Sequence, residues 1–254
     1  MKVRPYYSAG SMSAAFFDLV TAADRSLDGD IATYAGLAAP GARVLELGAG
    51  SARIAQALAE QGFSVTGVEI APAMLAKART RIAALPAEVA ARIEMRQGDM
   101  TALRLDQTFD LAICPFFTLA HVPAGMAWTN TFAGVAAHLV PGGLAAFHLP
   151  RLDLMKRPAP ADRARPVMDL ALDGGRRLRL YIAERSFREA QGRFDQVVDY
   201  ALHDPTGRVI ERSPERLTFY MADPTPFAQA AGLTPDRPPI DIGGVGDIWV
   251  FRKP

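Results

Sequence analysis

The chain has 254 residues, half of them hydrophobic, with 28 Lys and Arg against 27 Asp and Glu. That length admits one elaborated domain, or one domain with a smaller module. The near-neutral charge excludes the strongly basic footprint of a nucleic-acid binder, and the lone Cys114 excludes a disulfide framework or a cysteine-rich metal site. No run approaches the ~18 uninterrupted apolar residues of a membrane span, and no apolar signal-peptide stretch follows the charged opening. The expectation is a soluble, cytoplasmic protein.

In chain order, residues 12–38 are predicted helical, with Phe16, Phe17, Val20, Tyr34 and Leu37 spaced for one face. Pro40-Gly41 ends that region. "ARVLEL" (42–47) reads as a short buried strand, and 51–61 as a helix closed by Gly62. "FSVTGVEI" (63–70) is the next strand; Pro72 then suits the first turn of a helix running to about Ala84, where its missing N–H is not needed. "RIEMRQ" (92–97) and "FDLAIC" (109–114) are predicted strands, 127–140 a helix stopped by Pro141-Gly142-Gly143, and "LAAFHL" (144–149) a further strand. Strands alternating with helices predict an α/β, doubly wound and mostly parallel sheet.

After Pro150 the texture changes. A Pro- and Arg-rich connector leads into three alternating polar and apolar segments, with turn signals at Gln191-Gly192 and Pro205-Thr206-Gly207. These predict an inserted antiparallel β meander. A short helix (224–233) and a strand (247–253) then resume the earlier alternation. The expected organisation is an N-terminal helical cap at 1–39, a core at 40–150 and 222–254, and an inserted substrate lid at 151–221. Arg151, Arg163, Arg165, Arg176, Arg177 and Arg179 bracket the connector and the first lid strand and are read as a solvated rim.

In open α/β sheets, ligands bind beyond the carboxyl ends of the strands. Glu46, Glu69 and Asp99 stand there on three successive predicted strands. The turn Gly48-Ala49-Gly50-Ser51-Ala52-Arg53 nearly matches the dinucleotide fingerprint, but arginine replaces its last glycine. The glycines let backbone approach a ligand. Glu69, about 20 residues past the turn, is placed to accept ribose hydroxyls, and Asp99 to meet an exocyclic amine such as that of adenine. Glu46, two residues before Gly48, would repel a pyrophosphate and suits a cation. No G-K-[ST] follows, so a Walker loop is excluded. An adenosine whose other end is positively charged fits this set, and S-adenosylmethionine is such a ligand.

"VLELGAGSARIA", "VTGVEIAPAMLAKAR", "QGDM", "FDLAICPFFTLAHV" and "HLVPGGLAAFHLP", in that order, resemble the motifs of class I S-adenosylmethionine-dependent methyltransferases. The resemblance covers roughly residues 40 to 150 and implies a Rossmann-like methyltransferase fold. The downstream meander is similar to that of small-molecule methyltransferases with a sheet-like lid. By this resemblance Gly48, Ala49 and Gly50 line the methionine part of the cofactor, with Glu46 near its ammonium and Glu69 on the ribose. Ile70 and Met74 border the adenine, Asp99 holds its amine, Met100 packs on the ring, and Pro115 faces the transferred methyl. Two departures stand out: Ala52 occupies a position where the family commonly has glycine, and Phe117 one where a polar residue is frequent.

The acceptor side is read from His121, after the fourth strand, and Tyr7, near the first helix, as candidate general bases; Tyr6, Phe116, Phe117 and His148 are candidate substrate contacts. His138 is expected to cap a helix, His203 to lie exposed in a turn, and no pair of histidines has metal-site spacing. The expected function is methyl transfer to a nitrogen or oxygen of a small molecule, without nucleic acid or membrane partners and with a homodimer as an admissible state. The alternatives are a non-catalytic binder of S-adenosylmethionine or S-adenosylhomocysteine, and an RNA methyltransferase.

Overall fold

Val44 and Leu45 are adjacent, yet they enter two different hydrophobic clusters, and the same alternation runs through four neighbouring strands. Leu45, Ala112, Ala145 and Phe251 pack on one face, and Val44, Leu111, Leu144 and Val250 on the other. Successive strand residues point to opposite faces, so a sheet apolar on both sides must be covered on both sides. A computed structural model describes residues 3–254.

The strands, in chain order, are β1 Arg4–Pro5, β2 Arg43–Leu47, β3 Ser64–Glu69, β4 Ile93–Gln97, β5 Phe109–Cys114, β6 Leu139–Pro150, β7 Met168–Ala171, β8 Arg177–Arg188, β9 Arg193–His203, β10 Val209–Tyr220, β11 Thr234–Pro235, β12 Ile240–Ile242 and β13 Gly246–Arg252. The helices are α1 Met12–Ala15, α2 Phe17–Ala23, α3 Asp30–Ala35, α4 Arg53–Glu60, α5 Pro72–Ala83, α6 Ala87–Ala90, α7 Met126–His138, α8 Leu152–Met155 and α9 Thr225–Ala230.

The chain divides into two compact units. One comprises Ser26–Arg151 with Ala222–Pro254, the other Leu152–Met221 with the residues up to Arg25. The boundary at Arg25 falls inside the segment read from sequence as one helical cap. Breaks at Phe16, Asp24 and Gly29 leave only short helices there.

In the first unit the sheet order is β11-β13-β6-β5-β2-β3-β4, with β12 pairing β13. The five strands β4 to β6 along this path are parallel, and β13 closes the sheet antiparallel to β6. The chain runs outward from β2 to β4 and then returns to β5 on the other side of β2. That reversal makes the carboxyl ends of β2 and β5 the switch point of a doubly wound sheet. Pro141-Gly142-Gly143 does not end regular structure. It lies inside β6, with Gly142 at φ +79° donating its N–H to Lys253 O at 2.8 Å. On one face Trp128, fully buried, donates Nε1–H to Val122 O at 3.1 Å and packs edge-on to Phe227.

The second unit is a five-stranded sheet, β1-β10-β9-β8-β7, antiparallel except that β1 runs parallel to β10. Leu178, Leu180, Ile182, Val198 and Tyr200 form its apolar face together with Met12 and Val20 from the two N-terminal helices and Phe16 between them. Glu215, fully buried, accepts hydrogen bonds from the Met12 N–H (2.6 Å), the Ser13 N–H (3.1 Å) and Ser213 Oγ (2.7 Å), tying the start of α1 to β10. Arg177 and Arg179, expected on a solvated rim, share Asp169 on the neighbouring strand. Among the described residues no helix is long and apolar enough to cross a membrane.

Candidate functional site

The turn after β2 is built from left-handed residues: Gly48 at φ +64°, Gly50 at +57° and Ala52 at +63°. Gly48 and Ala49 both donate their N–H to Val68 O, at 2.8 and 3.1 Å, so the turn is pinned to β3. A Cβ on Gly48 would stand 2.2 Å from Thr118 Cγ2, so glycine is required there by space as well as by φ. The structure accommodates Ala52 in the left-handed region, with its methyl fully buried in the core.

Glu69 joins two loops. Its Oε2 accepts the Gly50 N–H at 2.9 Å and its Oε1 the Ala71 N–H at 2.7 Å. A carboxylate has about four lone-pair sites, so each oxygen keeps capacity for a ribose hydroxyl. Asp99 caps the following short turn, its Oδ1 accepting from the Thr101 N–H and hydroxyl, both at 2.8 Å. Met74 is buried, Met100 packs half-buried against the core, and Ile70 is 61% exposed at the end of β3, where an apolar ring could cover it. The cofactor-side residues predicted from sequence thus stand at the carboxyl ends of strands of one sheet, or in the loops and helix starts that follow them.

Behind the turn lies a cluster of buried polar side chains that the sequence reading only half anticipated. Glu46 and His148 share the face of Val44 and Ala146, the face covered by α3 and α4. Glu46 is 1% exposed and its Oε2 has no hydrogen-bond partner. Tyr34 Oη and both ring nitrogens of His148 are likewise buried without partners. Buried polar atoms are rarely left unpaired, and here four such atoms belong to three side chains. Asp30 and Arg53 form an ion pair that acts electrostatically on all three. Burial pushes the Glu46 carboxyl up to about 8, against the lowering effects of Arg53 and of the Ala55 N–H that bonds to it. Burial also raises Tyr34 and pushes His148 down to about 4. Sequence reasoning noted Arg53 only as a departure from a fingerprint and missed Asp30 and Tyr34 as site residues.

After β5, buried Pro115 opens a tight turn in which Phe116 (φ +49°) and Phe117 (φ +61°) are both left-handed. The Thr118 N–H and Oγ1 both reach Pro115 O, at 3.1 and 2.7 Å. Two positive φ values in succession are the signature of a type I′ turn, normally carried by Asn and Gly. Bulky residues there cost about 1–3 kcal/mol each and concentrate at functional sites. The Phe117 ring lies 4.6 Å from that of His148. A Cβ on Gly246 would come within 2.3 Å of Phe117 Cε1 and 2.5 Å of His148 Nε2. Gly246→Ala is therefore expected to lower stability by about 1–3 kcal/mol and to displace the aromatic wall. Thermal denaturation and the near-ultraviolet signal of the variant check it. His121 ends the following short helix, and burial pushes it down to about 4.

Tyr6 and Tyr7 belong to the second unit. Tyr6 Oη and Tyr200 Oη are 2.6 Å apart, and burial pushes the Tyr6 phenol up to about 12. Tyr7, at φ +57°, packs edge-on to Phe17, and its N–H donates to Ser13 Oγ at 2.8 Å. His203, expected to be exposed, is buried. It is the last residue of β9, paired with both Arg177 and Val209, and the turn begins only at Asp204. His138 donates Nδ1–H to Gly134 O at 2.6 Å and accepts the Leu105 N–H at Nε2 (2.9 Å), so it joins α7 to a loop.

Residues 44–143 match the family described as Methyltransferase domain. The ubiquinone biosynthesis O-methyltransferase of Xanthomonas campestris pv. campestris is 32% identical over 109 residues; the match covers 42% of this chain and 42% of that relative. The crystal structure of Streptomyces venezuelae DesVI is similar in fold, with a TM-score of 0.73 and 18% identity over 96% of this chain and 99% of that one. The sugar N-methyltransferase KedS8 from Streptoalloteichus sp. ATCC 53650 gives a TM-score of 0.69 at 20% identity, covering 100% of this chain and 97% of that one.

Proposed function

From a core whose residues 44–143 are a methyltransferase domain, we propose that this protein transfers a methyl group from S-adenosylmethionine to a nitrogen or oxygen of a small molecule, with amino sugars as the first acceptor class. The buried, unpartnered carboxyl oxygen of Glu46 carries this reading. A buried carboxyl group beside a glycine turn complements a cation and opposes a pyrophosphate, which separates this ligand from a nicotinamide dinucleotide. The amino-sugar choice rests on the likeness to a sugar N-methyltransferase, and oxygen acceptors on the curated O-methyltransferase relative.

The residues present fit the cofactor. Glu46 would hold its ammonium, Glu69 its ribose, Asp99 the adenine amine, and Ile70, Met74 and Met100 the faces of the ring. Bound there, S-adenosylmethionine supplies a methyl already activated by a positive sulfur. The chain's remaining task is to orient the acceptor and exclude water, effects worth up to ~7–11 kcal/mol. Pro115 and the strained Phe116-Phe117 turn form a rigid wall for this. His121 and His148, both near 4, stay neutral at pH 7 and are weak bases; they suit accepting a hydrogen bond from an uncharged amine better than removing a proton from a charged one. A cytoplasmic location and freedom from nucleic acid belong to the same proposal, with a homodimer as an admissible state, Tyr7 as a candidate general base and Tyr6 as a candidate acceptor contact.

The test incubates the purified chain with S-adenosylmethionine and a panel of free and nucleotide-linked amino sugars, phenols and short RNAs. The expected outcome is S-adenosylhomocysteine formation together with an acceptor gaining one CH2 in mass. Tight binding of S-adenosylhomocysteine without turnover on any acceptor would favour a non-catalytic binder, and methylation of RNA alone would overturn the small-molecule reading.

A further inference from the structure

The buried polar cluster behind the glycine turn holds more charge than a structural core needs. Asp30, at the first position of α3, is 2% exposed, and its carboxylate takes both the Ile31 N–H (2.6 Å) and the Arg53 guanidinium. Arg53 is the cation with the largest lowering effect on Glu46, yet the hydrogen bonds of its guanidinium go to Asp30 while Glu46 Oε2 has none. We propose that Asp30 is a positioning residue: by holding Arg53 it leaves Glu46 a buried carboxyl with no cationic partner, and Glu46 gives up a proton in exchange for the ammonium of the incoming ligand. This rests on the reading of the site as one for S-adenosylmethionine.

The groups facing Glu46 make the exchange specific. From α3 come Asp30 and Tyr34, from the start of α4 Arg53 and the Ala55 N–H, from β3 Glu69, and from β5 Cys114. His148, on β6, faces the same ion pair. Asp30 and Glu69 disfavour a further negative charge, and Tyr34 and Cys114 are themselves raised and neutral. Among the described residues, the cation that acts on Glu46, Arg53, is already paired with Asp30. Without a ligand these groups therefore keep Glu46 protonated up to about pH 8. An ammonium arriving beside it reverses the preference, because an opposite charge within a few ångströms favours the charged form. No bond to the ligand forms or breaks: the Glu46 O–H proton passes to solvent and the carboxylate pairs with the ammonium.

The experiment is calorimetric titration of the whole chain with S-adenosylhomocysteine in buffers of different ionisation enthalpy. Near one proton is expected to be released per site at pH 7, with affinity rising about tenfold per pH unit until pH approaches 8 and then levelling. The nucleoside 5′-methylthioadenosine, which lacks the ammonium, is expected to bind with no release. In Glu46→Gln the release disappears. In Asp30→Asn the freed Arg53 pairs with Glu46, so release falls towards zero and the pH slope flattens. Arg53→Gln, in which no cation is left to restrain, keeps the release. Tight binding by the wild-type chain without proton release would overturn the exchange and leave the methyltransferase reading standing, whereas failure to bind S-adenosylhomocysteine at all would sink both. Unchanged release in Glu46→Gln, or with 5′-methylthioadenosine, would likewise overturn it. Unchanged release in Asp30→Asn, or its loss in Arg53→Gln, would remove Asp30 from the positioning role.

Discussion

Glu69→Ala is expected to weaken S-adenosylhomocysteine binding by about 100-fold or more in a calorimetric titration. Each hydrogen bond from a ribose hydroxyl to a charged carboxylate contributes about 1.5–3 kcal/mol, and two such bonds are lost. The residue also organises the site before any ligand arrives, because its two oxygens hold the Gly50 and Ala71 N–H groups on separate loops. Alanine releases both loops at once, so the free energy of reordering them adds to the loss of contacts. Glutamine is not a conservative replacement here. Both carboxylate oxygens face N–H donors, and the amide would satisfy one and turn its NH2 against the other. Glu69→Gln is expected to lose about tenfold or more, in line with a single displaced charged bond. A dissociation constant unchanged in both variants would remove Glu69 from the binding site.

The largest expected loss of stability lies at Glu215→Ala in the second unit. This fully buried carboxylate collects three donors: the first two N–H groups of α1 and the Ser213 hydroxyl. Each buried donor left unpaired costs about 1–3 kcal/mol, so a total of at least about 3 kcal/mol is expected, read as a lower urea midpoint for the transition of this unit. The arm that carries Tyr6 and Tyr7 is held by the same carboxylate, through Met12 and Ser13. Limited proteolysis should therefore cut the variant before residue 25, and cut the parent chain there far more slowly. A midpoint within a few tenths of a kcal/mol of the parent would show that water replaces the carboxylate without penalty.

The core sheet was legible because its evidence is local and repeated. Alternation in "VLEL" and "LAAFHL", Pro72 at a helix start and the acids at strand ends each report their own surroundings. The acids are read the same way: a carboxylate ending an apolar strand needs partners, and Glu69 has two in the Gly50 and Ala71 N–H groups. What stayed hidden depends on packing between distant positions. Asp30 and Arg53 stand 23 residues apart and meet only because α3 lies beside α4. Phe116 and Phe117 carry no left-handed preference, so nothing in their identity announces a turn that the surrounding contacts impose. His203 looked exposed because an Asp-Pro-Thr-Gly turn follows it, but the ladder of β9 runs one residue further than the turn signal suggests. The short strands β1, β7 and β12 exist only as partners of longer ones and have too few residues for a period to show.

One property of the first sheet bears on the order in which a growing chain acquires its structure. β6 is flanked by β5 on one side and by β13 on the other, and Arg252 reaches Gly142 O across 110 positions of sequence. The meander β8-β9-β10, by contrast, pairs strands joined by short turns. Ordering a long intervening segment makes distant pairings slow, and nearby ones form first. During synthesis, the antiparallel unit can therefore mature while β6 still waits with an open edge, an exposed template for unwanted strand pairing. A ribosome-bound chain in which β10 has left the exit tunnel and β13 has not should already protect the amides of β9 from hydrogen exchange. Those on the outer edge of β6 would gain protection only once β13 has emerged.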